Sequence, residues 1–351
     1  MLAFLFLCQQ AIILSPDSVV LPDGSLREGV KVVVVEDRIV EVSSAPETNG
    51  LEVKLDGVLA PGFVDAFSGS YGDELPLTEQ SDVVTPDLNA VDGVQFDSDV
   101  WRQLCAHGVT TVHFMPDPTN VISGRAALLS TSSLNGLSTV LEDNTVQVAS
   151  LLSSLVSDSR VGPSSLAGAL EVLDQSVYDY GARALGVRPW FYVEDAAGVR
   201  GVQKILKRFG IQDGRFILNG DPGSYAALFQ GQLVGVSVLT MDSLARKAEV
   251  WRRMAKNQIR VAFGSQMADA DWNALRSSAM AFSRITGKPE HAFASITSYS
   301  AEMLGRTDIG AIKAGARADL VLWTSHPLNA EAKVLSTMIG GQTVYRAELI
   351  H

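Results

Sequence analysis

Alternating strand and helix segments between residues 98 and 305, bracketed by strand-rich ends, predict an α/β fold. Two further observations support this. The apolar strands of the middle are short and end repeatedly in polar or small residues, as strands of a helix-covered parallel sheet do. The β-branched runs at both termini are broken by turn residues, so the two ends are expected to pair into one small β-domain. The periodicity alone leaves both an α/β barrel and an open α/β sheet available, and each places its chemistry at the C-terminal ends of its strands.

Taken in order, "AIILS", "SVVLPDG" and "VKVVVVEDRIVEVSS" are strands, with Glu36 and Asp37 at a hairpin tip. The stretch "VLAPGFVDAFSGSYG" (58–72) is an apolar strand ending in a loop of small residues, with Asp65 at its rim. Helix is expected over 99–108, 165–186, 198–210, 243–258, 271–287 and 289–305, and strand over 109–116, 188–195, 214–222, 233–240 and 259–266. The polar run 130–144 is expected to be a mobile loop. The C-terminal strands "IGAIKAGARADLVLW" and "KVLSTMIGGQTVYRAEL" enclose a tight turn at "IGGQT".

A net charge of -11 argues against nucleic acid or an anionic membrane as partner and leaves small molecules or proteins. Cys8 and Cys105 are the only cysteines, which excludes a disulfide framework and a multi-cysteine zinc site. The five histidines, His107, His113, His291, His326 and His351, are scattered, and no two share the spacing that aims both rings at one ion. The apolar run from Leu2 to Leu7 has no basic residue before it. A first strand in a cytoplasmic protein is the expectation, with a signal remnant and export as the alternative. No segment is long and apolar enough to span a bilayer.

Two stretches carry a resemblance. "LAPGFVDA" resembles the entry to the first barrel strand of the amidohydrolase superfamily, and residues 294–346, from "ASITSYSAEMLG" through "GARADLVLW" to "GGQTVYR", resemble its C-terminal signature. Residues 78–130, with "TPDLNAVD", "AHGVTTVHF" and "NVISG", are similar to the imidazolonepropionase-like subgroup. The resemblance implies a TIM-like (β/α)8 barrel, with room for eroded units, at 58–307. It also implies a β-sandwich domain built from 1–57 and 308–351. The family's activity is metal-dependent hydrolysis of carbon–nitrogen bonds other than peptide bonds, on zinc or iron.

The departures from the family pattern fall on the metal. Where the resemblance implies two histidines on the first strand, this chain has Phe67 and Gly69. Later ligand positions fall on Val193 and Asp195 and on Gly220, and the family's strand-eight aspartate falls on Gln266. No histidine lies between His113 and His291, so no shift of alignment restores the set. Phenylalanine, glycine and valine offer a borderline-soft ion no lone pair. The sequence therefore predicts that the family zinc or iron is absent and that metal-dependent hydrolysis is lost. What remains is a binding or partner protein for a small-molecule ligand or an active amidohydrolase paralogue, with homo- or hetero-oligomers open. The alternative is a hydrolase on cyclic amides or other non-peptide carbon–nitrogen bonds, working through an acidic rim of Asp65, Glu194, Asp195, Asp221 and Asp269 as acid and base or as an atypical site for magnesium or calcium, with His113 as a further candidate. Against that rim stands the simpler expectation that these carboxylates cap the helices that follow them. His113 is equally a hydrogen-bonded core histidine, His107 a surface or capping residue, and Cys105 a buried apolar one.

Overall fold

The structure is a computed structural model, and it describes residues 10–69, 79, 81–132, 140–154, 162–186, 188–238, 244–266 and 271–348. The N-terminal apolar run, Cys8, Asp269 and His351 lie outside the described residues. The termini do join. Strands β1 (Ile12–Val20), β2 (Leu26–Glu28), β3 (Lys31–Val35), β4 (Arg38–Ser43) and β5 (Leu51–Pro61) share one sheet with the three C-terminal strands. The join is the antiparallel pairing of β5 with β16 (Leu320–Trp323), beyond which lie β17 (Val334–Ile339) and β18 (Gln342–Arg346). This is a single eight-stranded sheet, and a second sheet packed on it as a sandwich is not seen among the described residues. Glycines at 340 and 341 take the left-handed turn between β17 and β18 (φ 55° and 75°).

The middle strands form two further sheets. One holds β6 (Phe63–Ser68), β7 (Val109–Phe114), β9 (Ala127–Ser130) and β10 (Val140–Glu142). The other holds β8 (Ile122–Arg125), β11 (Gln147–Ser150), β12 (Pro189–Val193), β13 (Arg215–Leu218), β14 (Leu233–Ser237) and β15 (Arg260–Gly264). From β11 to β15 all pairings are parallel, with α2 (Leu166–Tyr180) between β11 and β12, α3 (Ala196–Phe209) between β12 and β13 and α4 (Leu244–Lys256) between β14 and β15, while β13 and β14 are joined through short 3-10 turns. Helix α1 (Val100–Ala106) leads into β7, and α5 (Ala274–Thr286), α6 (Pro289–Ala294) and α7 (Ser298–Met303) follow β15.

Two expectations are corrected, those for the loop at 130–144 and the helix at 289–305. No hydrogen-bonded ladder between described strands closes the middle sheets into a barrel. Residues 122–130 run antiparallel to both β7 and β11, and break at Ala126, whose N–H turns to the Val146 carbonyl (3.0 Å). The expected loop at 130–144 carries strand at its edge: β10 pairs antiparallel with β9, and residues 133–139 between them lie outside the described set. The single helix expected over 289–305 is two.

The break in that helix has a tertiary cause. Between α6 and α7 the chain passes along the gap between β15 and β6, where Phe263 N–H donates to the Ser295 carbonyl (2.9 Å) and Val64 N–H to that of Ile296 (2.8 Å). Both strand edges thus bond to a connector at this level, and they meet each other directly at their C-terminal ends, where Gln266 N–H donates to Phe67 O (3.3 Å). Hydroxyls take up the helix carbonyls nearby: Ser295 Oγ donates to Ala292 O and Thr297 Oγ1 to Phe293 O.

Apolar side chains divide by strand parity. Phe191, Val193, Leu218, Val236 and Phe263 pack outward with helix residues such as Val202 and Trp251. Trp190, Tyr192, Ile217 and Ala262 pack inward with Phe67 and Met303. The terminal sheet is fastened on by Trp323, whose ring lies 5.4 Å from that of Phe63.

An ion-pair knot ties β4 to the chain after α7. Asp308 accepts from Arg306 Nε (2.8 Å) and Nη2 (2.9 Å), and from Arg38 Nη1 (3.0 Å). The hydrogen bonds from Arg306, with Arg38 adding to them, hold the Asp308 carboxyl down to about 2. Its folded value lies below the ordinary 3.8, so its stabilisation is present above pH 4 and is lost as pH falls from about 4 to 2. In Asp308→Asn, urea titrations across that window will show a shallower loss of stability than the parent; an identical slope would remove this role.

Candidate functional site

The C-terminal ends of β6 and β15 meet at one buried polar contact. Asp65 is 1% exposed and accepts from Ser265 N–H at Oδ1 (2.9 Å) and from Ser265 Oγ–H at Oδ2 (2.5 Å). Ser265 Oγ also lies 3.2 Å from Ser68 Oγ, and Gln266 N–H donates to Phe67 O (3.3 Å). Asp65 is therefore a clip across the strand ends.

Beside the clip, Phe67 occupies the interior. Its side chain is fully buried and meets Tyr192 edge-on at 6.2 Å. Two glycines make room for it: a Cβ on Gly235 would lie 2.8 Å from Phe67 Cε1, and one on Gly264 would lie 2.4 Å from Phe67 Cγ. Glycine inside a strand marks such close approach. Burial raises the Tyr192 phenol, and the charges of Asp117 and Asp65 raise it further, so this ring stays neutral at any ordinary pH.

The other candidates are dispersed. Gly69 sits at the strand end, where a Cβ would come 3.2 Å from Asp117 Oδ1. Val193 faces the helix layer, so parity makes Tyr192 the inward residue near the end of β12. Asp195 is the N-cap of α3, accepting from Gly198 N–H (2.7 Å). Asp221 caps the short turn Pro222–Ser224, accepting from Gly223 N–H (3.2 Å). Glu194 Oε1 accepts from Ser153 N–H (2.8 Å). Gly220 turns in the left-handed region (φ 66°) against the Glu194 carbonyl. Gln266 also has positive φ (43°), and its Oε1 accepts from Ser237 Oγ.

His113 is fully buried, with Nδ1 3.1 Å from Ala66 O, Nε2 2.7 Å from Thr145 Oγ1, and Trp190 edge-on at 4.8 Å. Burial lowers its pKa to about 4, so the ring is neutral at pH 7. His107 bonds its own helix (Nδ1 to Gln103 O, 2.8 Å), His291 meets Tyr299, and His326 packs on Phe293. Cys105 is buried against Thr131, and burial pushes its thiol up to about 11.

Among the described residues, no three His, Cys, Asp or Glu side chains converge to hold a metal ion. The inward strand-end positions present an aromatic ring, a phenol, glycine and an amide already engaged by Ser237. These residues do not fit the zinc or iron site that the resemblance implies. Sequence reasoning missed Tyr192, Asp117 and the partnership of Asp65 with Ser265. The glycines in "LVGVS" and "VAFGS" were the available signal for a bulky neighbour.

Two outcomes follow. Gly235→Ala will destabilise the protein by about 1–3 kcal/mol through overpacking. In a Phe67→Leu background the penalty will shrink, giving a coupling energy above about 0.5 kcal/mol in denaturant melts; simple additivity would contradict the contact. For His113 the folded pKa lies below the unfolded one, so the unfolded chain binds the proton first and stability falls from about pH 6.5 to 4. His113→Gln will flatten that part of the pH–stability curve, and an unchanged curve would show that another group is responsible.

Known proteins share this fold, and part of the chain matches a family profile. Residues 224–345 match the amidohydrolase family profile. An amidohydrolase from Thermotoga maritima MSB8 is 20% identical, covering 96% of this chain and 100% of that one, with a TM-score of 0.83. A prolidase complexed with N-methylphosphonate-L-proline is 16% identical, with 96% and 100% coverage and a TM-score of 0.64. Molinate hydrolase is 12% identical, with 97% and 95% coverage and a TM-score of 0.59. No curated protein sequence matches. The chain thus shares the fold of these hydrolases over nearly its whole length, and its residues 224–345 resemble the amidohydrolase family.

Proposed function

We propose that this amidohydrolase-fold protein, closest in sequence texture to the imidazolonepropionase-like subgroup, has lost metal-dependent hydrolysis and serves as a binding or partner protein. The observation that carries this reading is Phe67, whose ring fills the interior beside the strand ends, seated on Gly235 and Gly264. A hydrolytic site of this class needs an ion to lower the pKa of water and polarise the substrate, and a free general base. Neither requirement has an evident provider in this donor set. The resemblance's strand-eight aspartate is replaced by Gln266, bound to Ser237, and Asp65 is engaged by both the N–H and the hydroxyl of Ser265.

The competing reading, a hydrolase on cyclic amides or related carbon–nitrogen bonds that uses an acidic rim, is less well supported. Asp195 and Asp221 are engaged as caps, and Glu194 holds the Ser153 amide.

Elemental analysis of the purified protein, paired with hydrolysis assays on cyclic amides and ureas with and without added zinc or manganese, tests the proposal. The expected result is sub-stoichiometric transition metal and no turnover above a heat-denatured control. Stoichiometric metal together with metal-dependent turnover would overturn it.

A further inference from the structure

At the other end of the parallel strands from Asp65 and Ser265, a groove of about 1290 Å³ runs between α2 and the starts of β11 and β12. It is larger than the ~300–1,000 Å³ typical of small-molecule pockets. Its walls include Val84 and Val172, and its rim carries Asp82, Asp87, Glu171 and Asp179. Arg125 is the one cation among the described lining residues, and it pairs with Asp87 (2.7 Å). Among the residues whose side chains are described, Asp82, Glu171 and Asp179 form no ion pair, and Tyr180, 61% exposed, stands beside them.

A second observation is independent of charge. Gln147 lines the same groove and is 2% exposed. Its neighbours Val146 and Val148 face the interior while Ala149 faces the helices, so parity turns Gln147 toward α2 and the groove. Its Nε2 is buried and meets no hydrogen-bond partner among the described residues. A buried amide donor left unpaired costs free energy that an incoming acceptor recovers.

The two observations ask for a ligand with positive charges and a neutral acceptor, spread over a groove larger than small-molecule pockets usually are. A polyamine supplies only the first. A basic peptide supplies both, through its side chains and its main-chain carbonyls, and its cations also suit the Tyr180 ring. We propose that this groove docks an extended basic segment of a partner protein, with Lys or Arg side chains against Asp82, Glu171 and Asp179 and one main-chain carbonyl accepting from Gln147. The proposal is independent of whether hydrolysis is lost, since it concerns the opposite end of the strands.

The test is fluorescence anisotropy of the full chain with a fluorescein-labelled peptide of alternating lysine and valine. Controls are the same peptide with glutamate for lysine, and unlabelled spermine as competitor. The lysine peptide is expected to bind more weakly as salt rises, the glutamate peptide not to bind, and spermine to displace poorly. Glu171→Gln with Asp179→Asn, both on the exposed face of α2, will weaken binding about tenfold. Gln147→Leu will weaken it several-fold at every salt concentration; if that variant melts early, the α2 pair alone decides. Absent binding, wild-type affinity in the α2 double variant, or displacement by spermine at concentrations equal to the peptide's would each overturn the assignment.

Discussion

The seam between β6 and β15 is the constraint on which the rest of this structure depends. The two strands carry the ends of the parallel layer, yet among the described residues no ladder joins them. The gap is bridged at one level by the Ser295 and Ile296 carbonyls and at another by the Asp65 carboxylate holding Ser265. Burying a carboxylate is costly unless hydrogen bonds satisfy it, and here both its oxygens accept from one residue on the facing strand. Once the seam is fixed, the Phe67 ring is committed to the interior and the glycines at 235 and 264 become necessary.

This arrangement shows how the strand ends are held together by the residues present. Metal ligands and their neighbours supply polar contacts that hold strand ends in place. In this chain that work is done by Asp65 with Ser265, Gln266 with Ser237 and Phe67, and Tyr192 against Phe67. Acidic residues just beyond the strands serve helix starts, as Asp195 does for α3. The strand ends are accordingly tied by packing and by hydrogen bonds, those to the Asp65 carboxylate among them.

Much of the fold was legible from alternation, because β12 to β15 and their helices each bury one face with a clear period. The joining of the termini was legible as a β-domain, although the structure shows one sheet rather than a sandwich. Residues 122–130 were not legible as antiparallel strand, since their pairing depends on partners at 109–114 and 147–149. The interruption at Ser295 was equally hidden: "PEHAFASITSYSAEMLG" has helical texture throughout, and only the bare edges of β6 and β15 explain its break. At the site, Phe67 and Gly69 could be read directly as residues that offer a metal ion no lone pair. Which way Val193 pointed could not, because one residue of slip in an alignment by eye inverts a strand's faces.

A crystal structure grown with zinc and manganese, with anomalous maps collected at each metal edge, addresses the central claim most directly. The account predicts the Phe67 ring in the interior against Gly235 and Gly264, and no anomalous peak among Gly69, Tyr192 and Gln266. A peak there, with Phe67 swung out of the interior, would contradict it.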